Sequence, residues 1–159
     1  MATGSEDFDA TKSPGLHLYK HILEKGFQLG SILGVGVVAP ARAAYTALWL
    51  KQPVEPLSLT RTAGATTLGA FVIVAIAGAV RVSKINQDGL EDRAYRLHYN
   101  KGQNRTDLFA QAGAVSGLAA SAALLRGAAS ASALHYLGYS AAGAAGGILL
   151  HVLTQPKEE

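Results

Sequence analysis

Four long stretches of this chain carry no charge at all: 16 residues between Lys25 and Arg42, 19 between Arg61 and Arg81, 18 between Asp107 and Arg126, and 30 between Arg126 and Lys157. A helix that crosses a bilayer needs about 20 mostly apolar residues, and only a helix or a closed barrel satisfies every backbone polar group in hydrocarbon. The spacing predicts an all-α membrane protein with four transmembrane helices over residues 22–48, 62–80, 108–125 and 132–154.

A water-soluble helical bundle is the competing fold. The second interval argues against it, since LGAFVIVAIAGAV has no charged stripe to face water. With 159 residues, 49% hydrophobic and 16% charged, the chain has the length of one small membrane domain, preceded by an acidic tail expected to be flexible over residues 1–14 and followed by a tail at 155–159. There is no Cys, which removes disulfides, thiolate metal sites and Cys nucleophiles. The net charge of +3 is scattered over the loops, so the expectation is anionic headgroups as counter-charge and no nucleic-acid partner.

Small residues recur every four positions inside three of the intervals. Gly26, Gly30 and Gly34 form one stripe, Gly113, Gly117 and Ser121 a second, and Gly138, Ala142 and Gly146 a third. In lipid, helices associate by close backbone approach, and such stripes permit it. These glycines and Ala142 are therefore the expected helix-packing residues of a small Gly/Ala-packed bundle.

The connecting segments refine the picture. Ser13 and Pro14 read as an N-cap and first helical position, opening an amphipathic lead-in with Leu16, Tyr19, Leu23 and Phe27 on one face. Pro40 is expected to kink the first span, with Arg42 and Trp49 near its interfacial end. Asp88 and Gly89 mark a turn before a short helix that ends near Gly102. The N-terminal residues hold Glu6, Asp7 and Asp9 and no Arg, the opposite of a cleavable presequence, so any organelle address is expected to be internal. Loop charge places the N-tail, the middle loop and the C-tail on one side, and the positive-inside rule makes that side matrix or cytosol.

Chemistry is sparse. His17 and His21 have the spacing of two metal ligands on one helix face, but no third ligand lies nearby in sequence, and no metal is expected. His135 is expected to bond a neighbouring helix and His151 to sit at an interface. Gly34, Gly36 and Ala39 match a dinucleotide fingerprint that lacks its strand and acidic partner. No nucleophile has a base partner, so no catalytic residue and no enzyme are expected.

From Arg105 onward the chain resembles the Tim-type family of mitochondrial and plastid membrane proteins. The run RTDLFAQAGAVSG supplies an acidic residue, Asp107, ahead of a small-Gly-x-x-x-Gly element at Ala112, Gly113 and Gly117. The family pattern puts an Arg four positions before the acidic residue, where this chain has Gln103, with Arg105 two before. Family members include channel-forming subunits of inner-membrane protein translocases, a plastid amino-acid channel and an accessory subunit of respiratory complex I. Their termini are expected in the intermembrane space, opposite to the charge count.

Within that resemblance the complex I subunit fits best. It implies a non-catalytic accessory subunit of the mitochondrial inner membrane, without cofactor, that docks on the membrane arm, holds phospholipid such as cardiolipin and touches neighbouring respiratory complexes. Arg93, Arg96, Lys101, Arg105 and Asp107 are then the expected lipid or partner contacts. Two other classes stay open. A translocase or solute-channel subunit would line a shared cavity with Gln28, Thr66, Thr67, Gln111 and Ser116, and a free-standing assembly factor would use the same helices.

Overall fold

A computed structural model describes residues 8–155; Glu6, Asp7 and Lys157, on which parts of the tail and charge readings rest, lie outside them. The described residues form five helices and no strand. We label them α1 (Pro14–Trp49), α2 (Pro56–Val82), α3 (Gln87–His98), α4 (Lys101–Leu124) and α5 (Ala133–Leu153). Four of these, all but α3, are long and apolar enough to cross a membrane.

The amphipathic lead-in and the first span are one continuous helix of 36 residues. Ser13 does not act as a side-chain cap; its backbone is left-handed, with φ 53°, and its carbonyl accepts from the Leu16 and His17 amides. Ahead of it, Phe8 stacks on His98 at 4.1 Å, and Thr11 bonds Asp9 through hydroxyl and amide. The Thr11 hydroxyl, then its amide, hold the Asp9 carboxyl below its usual range. The expected disturbance at Pro40 takes the form of a π-helical turn, Gly34–Val38, closed by the Ala39 amide reaching back five residues to the Gly34 carbonyl. Proline provides no amide and crowds the carbonyl four residues earlier, and a widened turn absorbs both defects without a break.

Around the bundle the order is α1, α2, α5, α4. α1 runs antiparallel to α2, α4 antiparallel to α5, and α2 also packs on α5. Helix α3 lies against the start of α1, burying Ala94 completely. Asn86, not Asp88, starts α3: its side-chain oxygen accepts the Gly89 amide, so Asp88 and Gly89 belong to the first turn, and the helix ends at His98. The connection from α4 to α5 turns at Gly127, whose φ of 82° suits a residue without Cβ.

The contacts inside the bundle are made by small residues. The buried apolar side chains are Ala39, Ala63, Ala94, Ala110, Leu125, Ala141 and Ala144, while Ile73, Ile76, Val115, Leu149 and Leu153 point outwards and are more than half exposed. A bundle with an alanine interior and an aliphatic exterior is built for a surrounding that is itself apolar. Buried hydroxyls are satisfied within their own helices, Ser31 on the Phe27 carbonyl at 2.8 Å, Thr67 on Ala63 at 2.9 Å and Ser121 on Leu118 at 2.6 Å.

Glycines set the helix spacing. A Cβ added to Gly30 would lie 2.8 Å from Thr67 Cα, and one added to Gly34 would lie 2.7 Å from the Ala63 carbonyl oxygen; Gly26 faces Val74 and Phe71. Between α4 and α5 the fit is mutual, with Gly113 against Gly143 and Gly147, and Gly117 against Tyr139 and Gly143. Gly138 faces the Thr60 backbone of α2. The third expected stripe does not continue from there: Ala142 is exposed, and Gly146 has no atom within 4 Å of an added Cβ. Each four-residue step turns a helix by about 40°, so a stripe that begins on α2 rotates into the open by its second repeat. Gly143 and Gly147, which the sequence reading passed over, take the contact with α4.

Candidate functional site

The charged chemistry of the bundle converges where α1 meets α4, at the end that also holds α3 and the last turn of α5. Asp107 is buried, with 8% exposure. Its Oδ1 accepts from Lys25 Nζ at 2.5 Å, Gln28 Nε2 at 2.6 Å and Gln103 Nε2 at 3.2 Å, while Oδ2 lies 3.4 Å from His21 Nδ1. Helical spacing explains the first set: His21, Lys25 and Gln28 fall at i, i+4 and i+7 on one face of α1. Lys25 also donates to Gln28 Oε1 at 2.7 Å, so donors and acceptors form a closed ring. A buried carboxylate is tolerated only when paired and hydrogen-bonded, and this one has three donors on one oxygen.

Next to the ring, Glu24 accepts from Gln111 at 3.2 Å and pairs with Lys20 at 3.8 Å. His17, His21, Glu24, Asn104, Asp107 and Gln111 line a cleft of about 310 Å³ between the two helices. Helix α1 reaches α4 chiefly through these long side chains, in contrast to the backbone packing of the other pairs. The ligating atoms of His21, Glu24 and Asp107 lie within 4.8 Å of one another, bringing together the third ligand type that sequence proximity did not supply. Lys25 already provides the cationic charge there, and Asp107 Oδ1 is committed to three protein donors.

The expected contact residues divide. Asp107 is an internal anchor and faces neither lipid nor a partner, because an unpaired carboxylate on that surface would be desolvated without compensation. Arg105 is likewise turned inwards: its guanidinium donates to the carbonyls of His151 at 3.2 Å and Thr154 at 3.0 Å, and lies over the Phe109 ring at 4.7 Å. It closes the last turn of α5, whose free carbonyls attract a cation. Arg93 and Lys101 are exposed, and Arg96, also exposed, pairs with Asp92 at 2.9 Å. His151 is buried among Arg105, Thr106 and Gln155. His135 bonds its own helix start, accepting the Ser132 amide at 2.9 Å on Nδ1, and not a neighbouring helix.

The polar residues expected to share a channel do not converge. Gln28 belongs to the Asp107 ring, Thr67 is buried on its own helix, Gln111 meets Glu24, and Ser116 bonds the Ala112 carbonyl on an exposed face. Thr66 lines a different cleft at the other end of the bundle. A second, apolar groove of about 540 Å³ runs between α1 and α5, floored by Gly36, Ala142 and Gly146 and walled by Ile32, Val35 and Leu149. The residues of the unaligned third stripe thus form an outward hollow.

No curated protein matches the chain. A family model described as "Protein of unknown function (DUF1757)" matches residues 2–152, and the chain belongs to that family.

Proposed function

We propose that the protein is a non-catalytic accessory subunit of a mitochondrial inner-membrane assembly, and specifically of the membrane arm of respiratory complex I. The observation that carries this reading is the open groove between α1 and α5, where Gly36 and Gly146 leave space that no described residue fills. A subunit that docks in the bilayer needs a low-relief apolar face, since helix association there depends on close van der Waals fit. Asp107 and Arg105 support the same reading, because they are committed to holding the bundle, Asp107 to Lys25 and Gln28 and Arg105 to the end of α5. The choice of complex I over other assemblies rests on the Tim-type resemblance of Arg105 to Gly117.

One observation favours a second reading, a subunit of an inner-membrane protein translocase or solute channel. The cleft between α1 and α4 is polar and bridged only by side chains, as a lateral path would be. Native gels of digitonin-solubilised mitochondria stained for NADH oxidation separate the two. Co-migration with active complex I supports the first, co-migration with an arrested import precursor supports the second, and migration as a free species contradicts both.

A further inference from the structure

At the opposite end of the bundle, Arg42 from α1, Arg61 from the start of α2, and Ser130 and His135 from the α4–α5 side line one cleft of about 420 Å³. Among the described residues neither arginine has a carboxylate within ion-pair distance, and Arg42 donates to the Thr62 hydroxyl at 2.7 Å. Glu55 also lines the cleft, which leaves an excess of positive charge.

The histidine is the more telling part. His135 is 6% exposed, and its Nδ1 accepts a backbone amide from Ser132. A backbone N–H can only donate, so the ring proton of the neutral imidazole resides on Nε2. Among the described residues that donor has no partner, and His135 lines the cleft. This Nε2–H, the accessible tip of an otherwise buried side chain, thus joins two guanidinium groups and the Thr66 side chain in lining the cleft, where the Ser58 hydroxyl donates to the Glu55 carbonyl. The start of α2 adds only its dipole to this field: Glu55 gives it no side-chain cap, Pro56 has no amide, and the Ser58 and Leu59 amides bond the Glu55 carbonyl.

Two planar guanidinium forks, an imidazole donor and the Thr66 hydroxyl make a donor set that recognises a tetrahedral oxyanion. We propose that this cleft is a phosphate site, taking the phosphate of an anionic lipid headgroup or of a soluble anion. The membrane ends of α1 and α2 suit the first source: Val38, Tyr45 and Leu68 are exposed apolar side chains on the same helices, against which acyl chains can lie. The inference goes beyond the accessory-subunit reading and does not depend on which assembly holds the bundle.

The test is native mass spectrometry of the full chain in detergent, with phosphatidylglycerol or phosphatidylcholine added. Wild type is expected to prefer the anionic lipid by roughly 10- to 30-fold, the effect of two arginines at a membrane surface. Arg42→Gln/Arg61→Gln should reduce the preference to within about twofold, whereas Lys51→Gln/Arg126→Gln, which removes two cations of the same end outside the cleft, should leave it intact. Should the first double variant fail to keep its helicity, Arg61→Gln alone serves, with an expected loss of about fivefold. Displacement of phosphatidylglycerol by millimolar inorganic phosphate assigns the site to a soluble anion, and persistence assigns it to the headgroup. Unchanged preference in the arginine variants, or an equal loss in Lys51→Gln/Arg126→Gln, overturns the site.

Discussion

Gly113 and Gly143 lie backbone against backbone: a Cβ added to either would fall 2.8 Å from the other's carbonyl carbon. Gly117 and Gly147 extend the same contact one turn in each direction. Helix α5 packs on α4 by main-chain proximity along this contact, and the Ser140 hydroxyl on the Ala114 carbonyl and Arg105 on the end of α5 add hydrogen bonds across the pair.

Gly143→Leu should therefore separate α4 from α5, whereas Gly146→Leu, pointing into the open groove, should leave the isolated bundle intact. Overpacking at such a site costs roughly 1–3 kcal/mol, enough to lower the detergent melting temperature measurably. Thermal unfolding of both variants in one detergent checks this; equal melting temperatures would remove the glycine contact from the account. The pair also bears on the proposed docking groove, since Gly146→Leu should release the subunit from its native complex without unfolding it.

Lys25→Ala leaves the Asp107 carboxylate buried with two amide donors and no counter-charge. Removing one partner of a buried pair costs a few kcal/mol, and with Lys25 31% exposed a value of about 2 kcal/mol is expected. Lys25→Ala combined with Asp107→Asn should recover most of that loss, because the neutral amide needs no counter-charge. A double-mutant cycle on denaturant unfolding gives the coupling, and simple additivity would show that the two residues act independently.

Arg105→Gln should loosen the end of α5. The guanidinium holds the carbonyls of His151 and Thr154 and the Thr154 hydroxyl, and hydrogen bonds from a charged donor contribute roughly 1.5–3 kcal/mol. Hydrogen exchange over 150–155 should accelerate while exchange in α2 stays unchanged. Uniform acceleration would mean that Arg105 supports the whole bundle.

The four spans could be read from the charge-free intervals because hydrocarbon imposes length and composition on each helix locally. The π-turn before Pro40 was legible only as a disturbance, since its form depends on how neighbouring turns share the missing bond. The third glycine stripe failed for a geometric reason: α5 packs on two neighbours, and the residues that serve each face are fixed by crossing angles, not by sequence spacing. Of the Asp107 junction, His21, Gln28 and Asp107 stood out singly, but Gln28 and Asp107 are 79 positions apart and only the topology brings them together. His135 stands out in the sequence as a polar residue in a span, but which ring nitrogen stays free depends on Nδ1 capping its own helix, a local geometry that spacing does not specify.

The central claim is that the chain crosses a membrane four times, with the 50–55 and 125–132 connections on one side and the described termini and α3 on the other. The chain has no Cys, so single cysteines introduced as Gln52→Cys, Ser130→Cys and Asn100→Cys report sidedness without interference. In sealed organelles or vesicles, a membrane-impermeant maleimide should label Gln52→Cys and Ser130→Cys together and Asn100→Cys only from the opposite side. Labelling of all three from one side would contradict the four-span bundle and the account built on it.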